Sequence, residues 1–216
     1  MLVRELDHRV KNVLASVVTV ARRTREDSGS MDEFLQAFEG RIQSMANAHR
    51  LLSRNHWQGV SLADLVRKEL APCVGKGSAS VEGPDVLLSP EGTQSMAIVL
   101  HELVTNASKY GGLVTKHGRI SVRWDWQWDS EAGRRLLLEW VETGGSLVIP
   151  PEHTGYGTDA IRNLIPYELG GVVELVFDAA GVRCRIELPS SAWSQTRSAL
   201  IDTAPRGTQR AVASGM

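Results

Sequence analysis

Glu102, Asn106 and Lys109 follow one another four and then three residues apart in the segment His101-Glu102-Leu103-Val104-Thr105-Asn106-Ala107-Ser108-Lys109-Tyr110. That spacing puts all three on one face of a helix. A carboxylate, an amide oxygen and an ammonium together suit a hydrated Mg²⁺ carrying a polyphosphate, because hard oxygens hold the ion and the cation offsets phosphate charge. Taken alone, the triad serves equally as a solvated helix face. A later stretch favours phosphate: Gly144-Gly145 and Gly155-Tyr156-Gly157-Thr158 punctuate a loop that feeds a helix opening at Asp159. Backbone N–H groups at such a helix start can approach an anion closely. His8 is a second centre of possible chemistry. A neutral imidazole nitrogen can attack phosphorus in line, and a neighbouring carboxylate can orient the ring and take up the proton. Asp7 adjoins His8, Glu5 lies three residues earlier, and Asn12, four residues on, shares its helical face. A lone helical histidine is usually structural. His49, His56, His117 and His153 show no metal-ligand spacing and are assigned no chemistry.

Positioning these groups requires helices and a sheet. Leu2, Leu6, Val10, Val13, Leu14, Val17, Val20 and Ala21 form one apolar stripe of a helix reaching Arg25. The basic run Arg22-Arg23-Thr24-Arg25 reads as a solvated helix end that complements the dipole. Glu26 to Ser30 breaks the pattern, and Ser30 with Glu33 forms a capping box that restarts a helix. Phe34, Leu35, Phe38, Ile42, Met45, Ala46, His49 and Leu52 supply its stripe. Two such helices joined by a short loop make an antiparallel hairpin, which alone buries too little apolar surface to be stable. Pairing two hairpins in a four-helix bundle would cover both stripes, so a homodimer is expected.

A second region opens near Val60, with a helix from Ser61 to Leu70 capped by Ser61, a loop at Gly75, Gly77, Ser78 and Ser80, and a longer helix from Pro90 to Tyr110. Ile120, Val122, Trp124, Trp126 and Trp128 alternate, as do Leu136, Leu138 and Trp140, which predicts a hairpin turning near Gly133. Alternation places the three tryptophans on one sheet face, where packing is their expected role. A helix from Asp159 to Leu169 ends at Gly170-Gly171, and Val172 to Phe177 pairs with Val182 to Leu188 around Ala180-Gly181. The sum is an α+β chain: a helical hairpin over residues 1–57, an α/β sandwich over 58–189, and a Ser-, Ala-, Thr- and Arg-rich tail over 190–216 expected to be disordered.

In the 216 residues, 24 Lys and Arg stand against 25 Asp and Glu, which argues against a nucleic-acid binder working by bulk electrostatics. The longest apolar stretches, such as Val13 to Ala21, fall short of the roughly 20 residues that span a bilayer. Met1-Leu2-Val3-Arg4-Glu5 does not begin a signal peptide, so a cytoplasmic protein is expected. Cys73 and Cys184 offer neither a disulfide framework nor paired zinc ligands and read as buried or half-buried thiols.

Four motifs in order resemble the catalytic core of sensor histidine kinases of the HWE group. Leu6-Asp7-His8-Arg9-Val10-Lys11-Asn12-Val13-Leu14-Ala15 is similar to the phosphoacceptor box, and Leu51-Leu52-Ser53-Arg54-Asn55-His56-Trp57 leads out of the second helix. His-Glu-Leu-Val-Thr-Asn-Ala-Ser-Lys-Tyr-Gly from His101 resembles the N-box, and Trp140-Val141-Glu142-Thr143-Gly144-Gly145 the first glycine box; His101, Trp140 and Glu142 would be the residues that name the group. The resemblance covers about residues 2–189. It implies a nucleotide domain of the superfamily that includes gyrase and the Hsp90 chaperone. It further implies ATP and Mg²⁺ as cofactors, with Asn106 holding the metal and Glu102 orienting the metal's water or the reacting groups. Lys109 would contact phosphate, Tyr110 would lie near adenine, and Glu142 would take the adenine amino group with Trp140 behind it. Gly144, Gly145, Gly155 and Gly157, with Thr158, would frame the lid and second glycine box. Where the group commonly has Gly-Gly-Pro, this chain has Gly144-Gly145-Ser146.

The resemblance therefore implies an enzyme that phosphorylates His8 from ATP and passes the phosphoryl group to an aspartate of a response regulator, which would dock on the hairpin. The alternative is a histidine phosphotransfer adaptor whose nucleotide domain has lost catalysis. An ATPase of the same superfamily without histidine chemistry is a third reading, but such chains lack the His8 hairpin. His8 lies seven residues from Met1, so its signal would come from a sensor segment ahead of it or from a separate partner.

Overall fold

The structure, a computed structural model, describes residues 2–73, 78–129, 133–145, 155–179 and 181–195, with side chains from Val13 onward. The side chains of Glu5, Asp7, His8 and Asn12, together with Ser146, His153 and residues 196–216, lie outside what is described.

Helix α1 (Leu2–Asp27) and helix α2 (Met31–Arg54) form the hairpin. Its turn is set by the capping box: Ser30 Oγ accepts the Glu33 N–H at 3.2 Å, and Glu33 Oε2 accepts in return from Gly29 N–H at 3.0 Å. After β1 (Val60–Ser61) comes α3 (Leu62–Leu70), where Ser61 Oγ accepts the Asp64 N–H. A 3₁₀ turn, β2 (Ser78–Glu82) and β3 (Val86–Leu88) lead to the long helix α4 (Pro90–Lys109). Ser89 caps α4, and Pro90 fills a first-turn position that has no use for an N–H. The hairpin strands β4 (Arg119–Asp129) and β5 (Gly133–Thr143) follow, then α5 (Tyr156–Leu169), β6 (Val172–Asp178) and β7 (Gly181–Leu188). Gly170 ends α5 in the left-handed conformation, φ 65°, that an L side chain resists.

The main sheet has the order β2-β4-β5-β7-β6, with β2 parallel to β4 and every other pair antiparallel. One face is covered by helices. Met96, Leu100 and Leu103 of α4 and Ile161 and Ile165 of α5 pack on Val122, Leu138, Trp140 and Ile186, all buried. The period-two strand pattern is thus satisfied on one side and solvated on the other.

Two expectations are corrected. The expected tail starts too early: Ser190–Ala192 makes a 3₁₀ turn, and β8 (Trp193–Gln195) pairs with β3, completing a small β1-β3-β8 sheet. Composition conceals this short strand because its partner lies a hundred residues away in sequence. The tryptophan row also divides. Trp124 is buried and donates from Nε1 to Pro84 O, and Trp126 meets Trp193 at 4.4 Å between centroids, but Trp128 is 79% exposed because it lies past the end of the helical layer. Among the described residues no helix is long and apolar enough to cross a membrane.

The sheet contribution of β8 is testable by truncation. A chain ending after Pro189 is expected to unfold roughly 1–3 kcal/mol more easily than one ending after Gln195, measured as a lower urea midpoint.

Candidate active site

The late turns of α4 and the first turn of α5 meet at one wall of a cavity of about 960 Å³. Glu102, Asn106 and Lys109 line it from α4, Tyr156, Gly157 and Thr158 from α5, and Gly155, the N-cap of α5, also contributes. The approach of the two helices is close: a Cβ on Gly157 would stand 2.5 Å from Glu102 Oε2 and 3.8 Å from Asn106 Oδ1. A side chain at 157 would have to displace the Glu102 carboxylate, which Arg41 holds by two hydrogen bonds. Lys109 is exposed, and Tyr110, on the same wall, is 71% exposed.

Glu142 lines the same cavity from β5. It is buried, with Oε2 accepting the Gly112 N–H at 2.8 Å and Oε1 accepting from Trp140 Nε1 at 2.9 Å. Burial pushes its carboxyl above the usual carboxylate range, and the two hydrogen bonds oppose that rise. Trp140, fully buried, therefore fixes Glu142 by a hydrogen bond as well as by packing. Gly144, at φ 71°, and Gly145 press on the backbone of His117 and Gly111 respectively. They join β5 to the loop after α4 and are not among the residues lining the cavity.

His101 sits between elements. Its Nδ1 is 3.5 Å from Glu69 Oε2 of α3, and a Cβ on Gly40 of α2 would lie 3.1 Å from its Nε2. His49, without assigned chemistry, makes an edge contact with Trp57 at 4.8 Å. Both cysteines are buried, and burial pushes the Cys184 thiol up to about 12.

The site also holds residues that the sequence analysis missed. Arg41 of α2 donates from Nε to Glu102 Oε1 at 2.7 Å and from Nη2 to Oε2 at 3.2 Å. Its Nη1 donates to Thr24 Oγ1 at 2.7 Å, and its guanidinium lies 4.2 Å from the Tyr156 ring centroid. Asp27, the last residue of α1, accepts the Tyr156 N–H at the start of α5. Ser44 reaches both Glu69 Oε1 and Ala97 O at 3.2 Å. One signal for Arg41 was available: it shares the stripe of Phe34, Phe38 and Met45, where a charge needs a buried partner. Asp27 gave none, since an acidic residue at a helix end looks like ordinary loop.

The donor set fits a magnesium-bound polyphosphate. Two hard oxygen donors one turn apart stand beside a helix start whose own N-cap is a glycine, and an anion, the Asp27 carboxylate, already occupies that helix start.

Residues 5–85 match the family model described as HWE histidine kinase. A blue-light-activated histidine kinase of Rhizobium johnstonii is 32% identical over 190 residues, which cover 88% of this chain and 53% of that protein. Over residues 5–85, then, the chain carries the sequence pattern of the HWE histidine kinases. A protein of the same name from Brucella anthropi is 28% identical, over 89% of this chain and 39% of its own length. The chain thus spans about half or less of the curated relatives it matches. Its fold is that of histidine kinase catalytic regions. The Erythrobacter litoralis EL346 blue-light activated histidine kinase superposes with a TM-score of 0.62 at 18% identity, over 87% of this chain and 58% of that one. The histidine kinase domain of the same protein gives 0.56 at 14% identity, over 81% and 94%.

The Glu142 arrangement makes a prediction. Gln at this position has one acceptor oxygen for two N–H donors, so Glu142→Gln is expected to lower stability by about 1–3 kcal/mol. Because burial raises the folded-state carboxyl, the folded protein holds the proton more firmly than the unfolded chain. The wild-type advantage over Gln is then full below the ordinary value of 4.5 and shrinks as pH rises through the elevated folded value. Urea unfolding of both proteins across pH 4 to 8 measures it.

Proposed function

We propose that this chain is an ATP-dependent protein histidine kinase that phosphorylates His8 and hands the phosphoryl group to an aspartate of a response regulator. The observation that carries the reading is the convergence of Glu102 and Asn106 with the glycine-capped start of α5 on one cavity. Asn106 holds Mg²⁺ and Glu102 orients its water or the reacting groups; Mg²⁺ when bound neutralises phosphate charge. Lys109 reaches phosphate from the rim, Thr158 and the α5 backbone face the same anion, and Glu142 with Trp140 behind it receives the adenine amino group. Gly144 and Gly145 hold the end of β5 close against the loop after α4.

In the transfer the lone pair of an imidazole nitrogen of His8 forms the P–N bond while the bond from the γ-phosphorus to the bridging oxygen breaks and ADP leaves. The proton on the other ring nitrogen is shared with Asp7 or Glu5. Transfer to the regulator reverses the P–N bond formation in favour of an acyl phosphate. α1 exposes Leu14 at 58% and Val18 at 57%, an apolar strip that a second copy would cover in a homodimer. The sensory input comes from another segment or partner, and the chain works in the cytoplasm.

Incubation of the chain with Mg²⁺ and γ-labelled ATP is expected to give acid-labile, base-stable label that is lost in His8→Ala and in Asn106→Ala. Gly157→Ala, which drives a methyl into Glu102, is expected to reduce labelling at least about tenfold. Absence of both label and nucleotide binding would replace this reading with the phosphotransfer adaptor.

A further inference from the structure

The distal end of the hairpin covers the same groups that the proposed reaction needs. Asp27 accepts the Tyr156 N–H at the start of α5, so a carboxylate stands where a phosphate would be received. Arg41 engages both oxygens of Glu102, at 2.7 and 3.2 Å, so this cavity-lining carboxylate is already paired with a cation. Thr24, Ser28, Gln36, Ala37 and Gly40, all hairpin residues, bond to Arg41 or line the cavity itself. The phosphoacceptor, in contrast, is remote. His8 and Asp27 lie nineteen residues apart on the continuous helix α1, which at 1.5 Å per residue separates their backbones by about 28 Å. In-line transfer needs reacting atoms about 3–3.5 Å apart.

Resting on the nucleotide reading of this cavity, we infer that Asp27 and Arg41 form a latch by which the hairpin holds the nucleotide site shut, in competition with Mg²⁺-nucleotide. Nucleotide displaces the Asp27 carboxylate from the α5 start and draws Glu102 from Arg41. The hairpin is thereby released to re-dock with His8, rather than the α1–α2 turn, at the cavity. The Asp27 contact is suited to such exchange. Asp27 is exposed and sits at a helix end, and the cover over Tyr156 is small: Val20, Tyr156 and Ala160 form a cluster of their own, apart from the main core. A signal that bends or shifts α1 acts directly on Asp27, since both belong to one helix.

The latch predicts an effect that simple charge does not. Removing the negative Asp27 would tighten nucleotide binding on electrostatic grounds alone, whereas removing the positive Arg41 would weaken it. A latch makes both variants bind more tightly, because each raises the open fraction on which apparent affinity depends. Fluorescence titration of the full chain with Mg²⁺ and a trinitrophenyl-labelled ATP is expected to give dissociation constants at least about fivefold lower for Asp27→Ala and for Arg41→Met. Since both native cysteines are buried, spin labels at Glu39→Cys and Tyr167→Cys report hairpin-to-domain distance, which Mg²⁺-ADP is expected to change. Tighter binding by Asp27→Ala with weaker binding by Arg41→Met, or label distances unmoved by nucleotide, would overturn the latch and leave the ATP site standing. Equal affinity of all three proteins would do the same. Failure of wild type and both variants to bind nucleotide would overturn the latch and the ATP reading together.

Discussion

The arrangement of hairpin and domain depends on one ion pair. Arg41 and Glu102 are each withdrawn from water, with side chains only 10% and 4% exposed, and the guanidinium meets the carboxylate through two donors. Two charges so buried tolerate the loss of water only when their remaining hydrogen-bonding groups are also met. Thr24 does this for Nη1, itself donating to Val20 O, and the Tyr156 ring covers the guanidinium face. Removing one member alone leaves an uncompensated buried charge, a loss of about 3–5 kcal/mol. The pair therefore ties α1, α2, α4 and α5 to a common geometry, and the cavity inherits its shape from them.

The residues that mark the family act here largely through others. Trp140 donates to Glu142, and Glu142 in turn holds the Gly112 N–H, so the end of the cavity is fixed by a chain of two hydrogen bonds. His101 stands between Glu69 and Gly40, on the seam where α2 crosses α4. A helical bundle and a sheet domain meet there with little room, and a Cβ at Gly40 would press on the imidazole. Such residues set the spacing of the elements around the cavity.

The apolar stripe of the hairpin finds much of its cover within the chain. Ala48 and Leu52 of α2 join the main core with Leu62, Leu65 and Leu100, while Val20 of α1 packs with Tyr156 and Ala160 of α5. An apolar helix stripe need not pair with its like. The hydrophobic effect is non-directional and accepts any apolar surface, so α4 and α5 serve as well. What is left over on α1, Leu14 and Val18, is a narrower strip than the whole stripe.

Helix starts at Ser30 and Ser61, the helix end at Gly170, the period-two strands and the one-face placement of Glu102, Asn106 and Lys109 were legible in the sequence. Each depends on residues within a turn or two of one another, where side-chain geometry and backbone preference act directly. The motifs that carry the HWE resemblance were legible for the same reason, since each is local. The Arg41–Glu102 pair spans 61 residues, the Asp27–Tyr156 contact 129, and β8 returns to β3 from the far end of the chain. No local preference specifies such contacts. They are chosen by the burial of whole faces, and only the packed tertiary structure decides which charge meets which and what covers the site.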